Sequence, residues 1–322
     1  MDLIKQIFDS GVVGCGGAGF PTHVKLKASP EILIINGAEC EPLLRTDRYL
    51  MIHEAEKLVS GVDLICRELS IPEGRIALKK TYTKEIEALT AAIEKLHSKV
   101  QLHLMDSFYP AGDEQVVVYE VTGKVVPPAG IPLDVGAIVD NVATIIAVAD
   151  AVSGIPFTEK YLTVTGEVRE PSVLKVPVGT SFAQCIEMAG GTTSDKVMVV
   201  SGGPMMGFSL HSLDFPVLKG TGGLLLFDHQ SELAKLPPEN PCVRCGKCVD
   251  TCPMFLEPTQ LFKAVKRRDW PAALAGHVGT CIECGSCAYN CPAHIPLVQY
   301  IRMGKQFILT DGFGGHNPYY KK

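Results

Sequence analysis

The sequence predicts three domains: an α/β domain, then a β-rich domain, then a small cysteine-rich α-helical domain. Patterns typical of buried strands and amphipathic helices alternate between residues 31 and 97, as in α/β proteins. Short β-rich segments with turn signals begin at Tyr161. Two groups of four cysteines lie near the end of the 322-residue chain, which is long enough for two or three separate cores.

Composition and charge exclude several classes of protein. The chain is 46% hydrophobic and 20% charged, as in ordinary globular proteins, and its net charge of -5 gives no reason to expect a nucleic-acid partner. The first ten residues lack the basic region of a signal peptide. The most apolar run, Val142 to Val152, is short and contains Asp150, so we expect no transmembrane segment.

The two cysteine groups share the spacing C-x2-C-x2-C-x3-C, and each is followed directly by a proline. Three closely spaced thiolates can bind three irons of one cubane cluster, while the fourth cysteine ligates the other cluster of a two-cluster fold. We therefore predict two [4Fe–4S] clusters whose fourth ligands are exchanged. Their predicted ligand sets are Cys242, Cys245, Cys248 and Cys291 for one cluster, and Cys281, Cys284, Cys287 and Cys252 for the other.

Zinc binding and disulfide formation are two other uses of cysteine groups. Structural zinc sites usually separate their cysteine pairs by a dozen or more residues, whereas each group here spans eleven. A disulfide framework is typical of short secreted chains. Iron–sulfur clusters and thiolate ligands indicate a reducing cytoplasm and a chain that transfers single electrons.

A glycine-rich loop follows a predicted amphipathic helix at residues 2–10. Its glycines allow sharp turns and bring bare backbone close to a planar ring or a phosphate, and Lys25 can add a positive charge. The segment is not a Walker loop, and alone it is more typical of a structural turn. The glycines are Gly14, Gly16, Gly17 and Gly19.

An acidic segment follows the predicted buried strand 31–36. Asn36 stands at the carboxyl end of that strand, and Glu39 and Glu41 come next, with Arg45, Asp47 and Arg48 close behind. Ligand-binding groups gather at such strand ends in α/β folds. A solvated loop held by salt bridges explains the same residues.

These two segments resemble a known family. The stretch from Gly14 through Phe20 to Lys25, followed by Asn36 to Arg48, is similar to the flavin and nicotinamide site of complex I-type flavin subunits. The family includes the RnfC subunit of the Rnf ferredoxin:NAD oxidoreductase and the cobalamin reductase PduS. The resemblance implies that NAD(H) and the flavin ring lie against the glycine loop, beside the acidic segment.

Two further motifs are similar to the second flavin-binding region of that family. They are Gly112-Asp113-Glu114 and the Asn-Val-x-Thr element with Asn141, Val142 and Thr144. The resemblance implies that these residues, with Asn36, hold FMN. It also implies that Glu39, Glu41 and Glu114 act near the face where hydride is transferred.

The β-rich segment resembles the β-grasp domain called SLBB, the soluble-ligand-binding β-grasp. Strands at 161–168, 173–178, 196–200 and 223–227 and a helix capped by Thr180 or Ser181 are predicted. We interpret it as a spacer between flavin and clusters, although its name suggests a ligand. The segment Ser201–Gly207 is a family hallmark that we interpret as a tight turn, with no chemistry assigned.

Four regions are therefore predicted: an FMN/NADH-binding domain at 1–153, the SLBB domain at 154–235, the two-cluster domain at 236–306 and a flexible tail at 307–322. Helical segments between the cysteine groups carry a basic face that is either a solvated surface or a dock for an acidic electron carrier. That face consists of Lys263, Lys266, Arg267 and Arg268.

The resemblance spans about residues 2–305, without counterparts of the barrel-like domain of RnfC or of the sequence after the clusters in PduS. It implies an RnfC-like subunit that oxidises NADH through FMN and passes single electrons to a ferredoxin, flavoprotein or corrinoid partner. A cytoplasmic location, or one at the periphery of a membrane complex, follows. The alternatives are a PduS-like cobalamin reductase and an electron-wiring subunit with no NADH activity.

Overall fold

A computed structural model describes residues 2–128 and 130–310 of the chain. The chain divides into two compact units, and the tail predicted at 307–322 lies largely outside the described residues. The first unit contains residues up to Val126 and from Ile131 to Ala234, and the second contains the segment 127–130 and the residues from Lys235 onward.

A four-stranded parallel sheet forms the centre of the first domain. Its order is β3-β2-β1-β4, with the strands β1 (Ile32–Asn36), β2 (Glu73–Lys79), β3 (Gln101–Met105) and β4 (Ala137–Asn141). The sequence of β1, ILIIN, is almost continuously apolar because helices cover both faces of the sheet. Asn36 of β1 is paired with Asn141 of β4, so the carboxyl ends of these strands lie side by side.

Among the described residues, seven helices and one 3-10 turn accompany this sheet. Helix α4 is the most clearly amphipathic: its buried residues recur at helical spacing and pack against α7. The helices are α1 (Leu3–Asp9), α2 (Thr22–Lys25), α3 (Thr46–His53), α4 (Ala55–Glu68), α5 (Thr83–Leu96), α6 (Glu114–Thr122), the 3-10 turn Pro132–Val135 and α7 (Val142–Val152).

A five-stranded mixed sheet and one helix form the β-grasp domain. Strands β5 and β6 are an antiparallel hairpin, and β5 also pairs in parallel with β9 in the middle of the sheet, whose order is β6-β5-β9-β7-β8. A capping box between Ser181 and Gln184 starts the helix. The elements are β5 (Glu159–Gly166), β6 (Ser172–Pro177), α8 (Phe182–Met188), β7 (Val197–Ser201), β8 (Phe208–Ser209), β9 (Gly223–Asp228) and the 3-10 turn Glu232–Ala234.

The second unit is helical and internally repeated. Equivalent positions of the two cysteine loops have matching left-handed backbone: Arg244 and Glu283 have φ of 57° and 58°, and Gly246 and Gly285 have φ of 80° and 84°. The duplicated motif is therefore a duplicated structure. Its elements are α9 (Lys247–Asp250), α10 (Pro258–Lys266), α11 (Trp270–Ala275), the 3-10 turn Val278–Thr280, α12 (Ser286–Tyr289) and α13 (Leu297–Thr310).

The fold class predicted from the sequence is confirmed, and the long periodic helices and buried strands are found within a few residues of their predicted bounds. The interpretation of residues 37–51 as one loop is wrong, because α3 begins at Thr46. Strands β3, β4 and β8 and helices α2, α6, α7, α9, α12 and α13 are not predicted by the sequence analysis. Within the described residues, no helix combines the length and apolar character needed to cross a membrane.

Candidate functional site

The glycine loop is a closed turn that leaves its outer surface bare. The Gly14 N–H donates to the Phe20 carbonyl at 2.8 Å, and Val13 bridges to Pro21, which together close the loop. Gly17 and Gly19 have φ of 110° and 64°, and a Cβ added at either would project into open space. The Phe20 ring is half exposed. Gly16 lies against the side chain of Asn141.

Lys25 contacts one backbone carbonyl and two carboxylates at the carboxyl edge of the parallel sheet. Its Nζ donates to the Val139 carbonyl and lies 3.7 Å from Glu114 Oε2 and 4.0 Å from Asp140 Oδ1. Burial raises the pKa of Asp140 to about 6, against the opposing effect of Lys25. The Oδ2 atom of Asp140 is buried and has no hydrogen-bond partner among the described residues.

Glu39 caps helix α3 from outside the helix. Its two carboxylate oxygens accept the backbone N–H groups of Asp47 and Arg48 at 2.9 and 3.1 Å. The backbone at Glu39 has φ of 34°, which is uncommon for a side-chain-bearing residue and typical of functional loops. Burial, reinforced by the Asp47 carboxylate, raises the pKa of Glu39 to about 8.

Asp47 is buried beside Glu39, and its negative charge is balanced from two sides. Asn141 Nδ2 donates to Asp47 Oδ2 at 2.7 Å, and the buried ammonium group of Lys160 acts on it electrostatically. Burial nevertheless raises the pKa of Asp47. The Lys160 Nζ also lies 3.4 Å from the Cys15 carbonyl in the glycine loop.

The amide and hydroxyl side chains that are predicted to hold FMN keep backbone groups in place. Asn36 Nδ2 donates to the Gly112 carbonyl at 2.8 Å, and Asn141 Oδ1 accepts the Ala143 N–H as the cap of α7. The Thr144 hydroxyl accepts the Cys15 N–H at 2.9 Å. Val142 and Thr144 are completely buried, so in this structure they fix the loops. Asp113 caps α6, and the partly exposed Glu114 is the first residue of that helix.

Glu41 is the predicted catalytic carboxylate with the most varied partners. Tyr109 OH donates to its Oε1 at 3.4 Å, and the Met205 N–H of the β-grasp domain donates to its Oε2 at 3.0 Å. Burial raises the pKa of Glu41, while these donors and the Met206 N–H oppose the rise. Neither sequence segment carried a sign of the contact with Met205.

These features fit a bound flavin. The glycine loop presents bare backbone and an exposed aromatic ring, and the side chains around it brace that backbone without covering it. A cationic group, Lys25, and carboxylates of raised pKa lie at the same strand ends.

The second cysteine group lines a pocket together with a cysteine of the first group. Cys252 faces this pocket with Cys281, Cys284 and Cys287, and apolar residues such as Leu256 and Ile301 complete the wall. A set of four cysteine sulfurs in an apolar pocket suits an iron–sulfur cluster. This is the grouping that the exchanged-ligand prediction requires.

The other four cysteines are more open to solvent. Cys242 and Cys245 are exposed, whereas Cys248 and Cys291 pack in one apolar cluster. Burial raises the pKa of Cys248, and among the further influences is the nearby Cys291 thiol. Cys248 and Cys291 are therefore neighbours although they belong to different sequence motifs.

The two cysteine loops carry opposite charges at equivalent positions. Arg244 donates its backbone N–H to Cys242 Sγ, and Glu283 donates its own to Cys281 Sγ, both at 3.4 Å. Although burial opposes the shift, hydrogen bonds from Lys305 and Arg302 hold the pKa of Glu283 below its usual value.

Comparison with known families matches three successive segments of the chain. Residues 7–150 match the Nuo51 FMN-binding domain, residues 161–209 the SLBB domain and residues 240–295 the 4Fe-4S dicluster domain. The chain therefore contains an FMN-binding domain and a dicluster domain, as the sequence predicted.

Curated relatives share this arrangement over most of the chain. A subunit of the Na(+)-translocating ferredoxin:NAD(+) oxidoreductase complex of Acetobacterium woodii is 39% identical over 95% of this chain and 70% of its own length. The chain belongs to the RnfC/PduS-like family. A subunit of the proton-translocating ferredoxin:NAD(+) oxidoreductase complex of Clostridium ljungdahlii is 40% identical over 81% of this chain and 57% of its own length. The cobalamin reductase PduS of Salmonella typhimurium is 41% identical over 79% of this chain and 58% of its own length.

Solved structures agree with this RnfC/PduS-like fold. A chain of an NAD+-reducing [NiFe]-hydrogenase in the H2-reduced state superposes with a TM-score of 0.68 at 22% identity, covering 94% of this chain and 62% of the other. The air-oxidised state of such an enzyme gives a TM-score of 0.64 at 23% identity with the same coverage. At these identities the likeness concerns the fold alone.

Proposed function

We propose that this chain oxidises NADH at its FMN-binding domain and passes the electrons singly through two [4Fe–4S] clusters to a redox protein. The observation that carries the proposal is the pocket formed by Cys252 with Cys281, Cys284 and Cys287 in a chain that also contains an FMN-binding domain. When bound, FMN accepts a hydride as two electrons and releases them one at a time, which suits clusters that each accept one.

The residues of the first domain would have three tasks in this reaction. Some would bind the rings of the flavin and nicotinamide, one would supply positive charge, and the rest would fix the surrounding loops. The bare surface of Gly14, Gly16, Gly17 and Gly19, with Phe20, would receive the planar rings. Lys25 would supply positive charge, and Asn36, Gly112, Asp113, Asn141, Val142 and Thr144 would fix the surrounding loops.

The three predicted catalytic carboxylates stand in different surroundings. Glu39 has both oxygens engaged by the start of α3, which supports a role in shaping the acidic loop. Glu41 and Glu114 are partly accessible, so they are the carboxylates we expect beside NADH. Partly buried carboxylates at this position would orient the nicotinamide amide and repel anions from the solvent.

The acceptor is proposed to be another protein of a larger complex, such as a ferredoxin or flavoprotein, in line with the ferredoxin:NAD(+) oxidoreductase complexes among the relatives. A second candidate acceptor is a corrinoid, which the identity of 41% with PduS favours. With the first candidate acceptor, we expect the chain to lie at the periphery of a membrane complex.

Anaerobic stopped-flow mixing with NADH alone tests the proposal. We expect rapid loss of flavin absorbance followed by loss of cluster absorbance, in protein containing FMN and close to eight irons per chain. Gly17→Val should abolish NADH-dependent dye reduction, because its side chain would enter the open space at the loop. Gly179→Val is the matched control, since Gly179 has a similar φ of 100° and equally open surroundings, in the β-grasp domain.

Three outcomes decide between the functions. Protein that is reduced by dithionite but not by NADH is an electron-wiring subunit, and the proposal is then wrong. Reduction of free cobalamin at the rate of protein acceptors supports the corrinoid candidate. Full activity in Gly17→Val contradicts the assignment of the glycine loop.

A further inference from the structure

The turn Ser201–Gly207 of the β-grasp domain lies directly against the acidic loop of the first domain. Its Met205 N–H donates to Glu41 Oε2 at 3.0 Å, and the Met206 N–H acts on the same carboxylate. Two successive backbone N–H groups directed at one carboxylate form a small anion-binding nest. The sequence had suggested only a packed turn at this place.

The approach of the turn to Glu41 requires glycine. A Cβ placed on Gly203 would overlap Glu41 Oε2 and come within 2.5 Å of Glu41 Cβ. The turn itself is closed by the Gly207 N–H, which donates to the Gly203 carbonyl at 2.9 Å, and by the pairing of Ser201 with Phe208. The N–H groups are therefore held in place before any ligand binds.

A second part of the β-grasp domain contacts the glycine loop. Lys219 Nζ donates to the Gly11 carbonyl at 2.5 Å, and Gly220 lies so close to Gly17 that an added Cβ would be 2.9 Å from the Gly17 carbonyl oxygen. A third contact fixes the start of α3, where the hydroxyls of Thr46 and Thr163 are 2.8 Å apart. The β-grasp domain thus contacts both loops of the proposed site.

From these contacts we infer that the turn Ser201–Gly207 positions the Glu41 carboxylate, so that the β-grasp domain is a working part of the NADH site and not a spacer. The inference rests on the proposed function for what Glu41 does, but the contact itself does not. Met205 and Gly203 are positioning residues, since they act through Glu41.

The physical effect of the turn is on orientation and on charge. Backbone N–H groups stabilise the ionised carboxylate and oppose the rise in the pKa of Glu41 that burial causes. Without the donors, Glu41 would take up a proton at higher pH and would leave its fixed rotamer. A hydrogen bond to a charged group contributes enough to shift a carboxyl pKa by roughly one unit.

The test removes the donor without removing the site. Met205→Pro has no backbone N–H, whereas Met205→Ala keeps the N–H and separates loss of the methionine side chain from loss of the donor. In flavin-free protein we expect amide hydrogen exchange across residues 37–45 to speed up by roughly ten- to a hundredfold in Met205→Pro. Exchange in Met205→Ala should match wild type.

A second measurement follows the ionisation of Glu41 in the enzyme with FMN bound. The acidic limb of the pH profile of kcat/KM for NADH should move upward by about one pH unit in Met205→Pro and should disappear in Glu41→Gln. If Met205→Pro does not fold, Gly203→Ala displaces the same carboxylate and is measured in its place. Unchanged exchange across residues 37–45 in the folded variant, together with an unshifted limb, overturns the inference.

The two proposals fail separately. If wild-type protein does not react with NADH, the proposed function is wrong and the kinetic arm is void, but faster exchange in Met205→Pro still supports the positioning contact. If NADH reacts, and neither the exchange nor the acidic limb changes in Met205→Pro, only the positioning inference is wrong.

Discussion

Asp140 is a single residue of the proposed site that lowers the stability of the fold at neutral pH. Its carboxyl group is buried with an unpartnered oxygen among the described residues, and its pKa is raised from 3.8 to about 6. A carboxyl group whose folded-state pKa is raised favours the folded state at low pH. That contribution is lost as pH rises through the folded pKa. A residue that costs stability at neutral pH is best explained by a role at the site.

Asp140→Asn should therefore stabilise the protein at neutral pH. The gain should be on the order of 1–3 kcal/mol above pH 7 and should vanish near pH 4, where the wild-type carboxyl is protonated in the folded state and about half protonated in the unfolded chain. Thermal unfolding of wild type and variant across pH 4–8 measures this difference. Lys25 Nζ also lies 3.7 Å from Glu114 Oε2, so we expect it to keep an acidic partner in the variant.

The control is Asp195→Asn, which alters an exposed carboxylate in the β-grasp domain. We expect its melting temperature to follow wild type at every pH. A loss of stability in Asp140→Asn that is equal at pH 4 and pH 8 would mean that the ion pair with Lys25 matters more than burial of the charge.

Some roles of single residues can be predicted from the sequence, whereas contacts between distant segments cannot. Glycines in a loop and carboxylates at a strand end could be recognised, because their chemistry is local. The capping of α3 by Glu39 could not. The residue at the N-cap position, Arg45, makes no side-chain cap, and Glu39 lies six residues before it in the chain. For the same reason the contact between Glu41 and Met205, which are 164 residues apart, had no signal in either segment.

Among the helices and strands, hydrophobic periodicity predicted those that bury one continuous face. Helices α4 and α5 have buried residues at helical spacing and were found as predicted. Strand β3 (QLHLM) lies at the edge of its sheet with most of its residues exposed or half exposed, so it lacks the apolar run of β1. Helix α6 is preceded by a capping aspartate, Asp113, but the sequence analysis assigns that residue only to a binding motif.

The proposed exchange of the fourth cysteine ligands gives a prediction for the two cysteine groups. Cys252→Ser and Cys281→Ser should lose the same cluster, because both sulfurs face one pocket. Cys291→Ser and Cys242→Ser should lose the other. Each single variant should retain about four of the eight irons, and the double variant Cys252→Ser/Cys281→Ser should resemble either single variant.

Iron analysis and EPR of anaerobically prepared protein distinguish the possibilities. Cys66→Ser is the control, since Cys66 lies on helix α4 outside both groups, and it should keep all its iron. Loss of the same EPR signal in Cys252→Ser and Cys242→Ser would show that each sequence motif holds its own cluster. Zinc in place of iron would contradict both arrangements.

The whole molecule has a strongly uneven distribution of charge between its two units. Residues 1–126 and 131–234 contain 19 Lys and Arg and 29 Asp and Glu, a net charge of -10. The unit with the cysteines contains 11 Lys and Arg and 6 Asp and Glu, a net charge of +5. Charge asymmetry of this kind steers association with partners of opposite charge. An acidic electron carrier would therefore be drawn to the cluster unit.

Within that unit, all four side chains of the basic face are exposed, but one of them is engaged by neighbouring side chains. Lys266 Nζ pairs with Glu239 at 3.3 Å and lies over the rings of Phe262 and Tyr300, so its charge is already engaged within the unit. Arg267 and Arg268 follow α10 and are exposed. We expect these two arginines, and not Lys266, to act on a partner.

Reversing both exposed arginines should separate the reaction with the partner from the reaction with NADH. Arg267→Glu/Arg268→Glu should slow electron delivery to an acidic ferredoxin at low salt by roughly tenfold or more, while dye reduction by NADH stays unchanged. The difference should shrink as ionic strength rises, because screening limits the field to about 8–10 Å near physiological salt. The matched control is Lys84→Glu/Lys99→Glu, which changes the net charge by the same amount at two exposed lysines of the acidic unit. If both pairs slow delivery alike, net charge alone governs the encounter; if neither does, the partner binds at another surface.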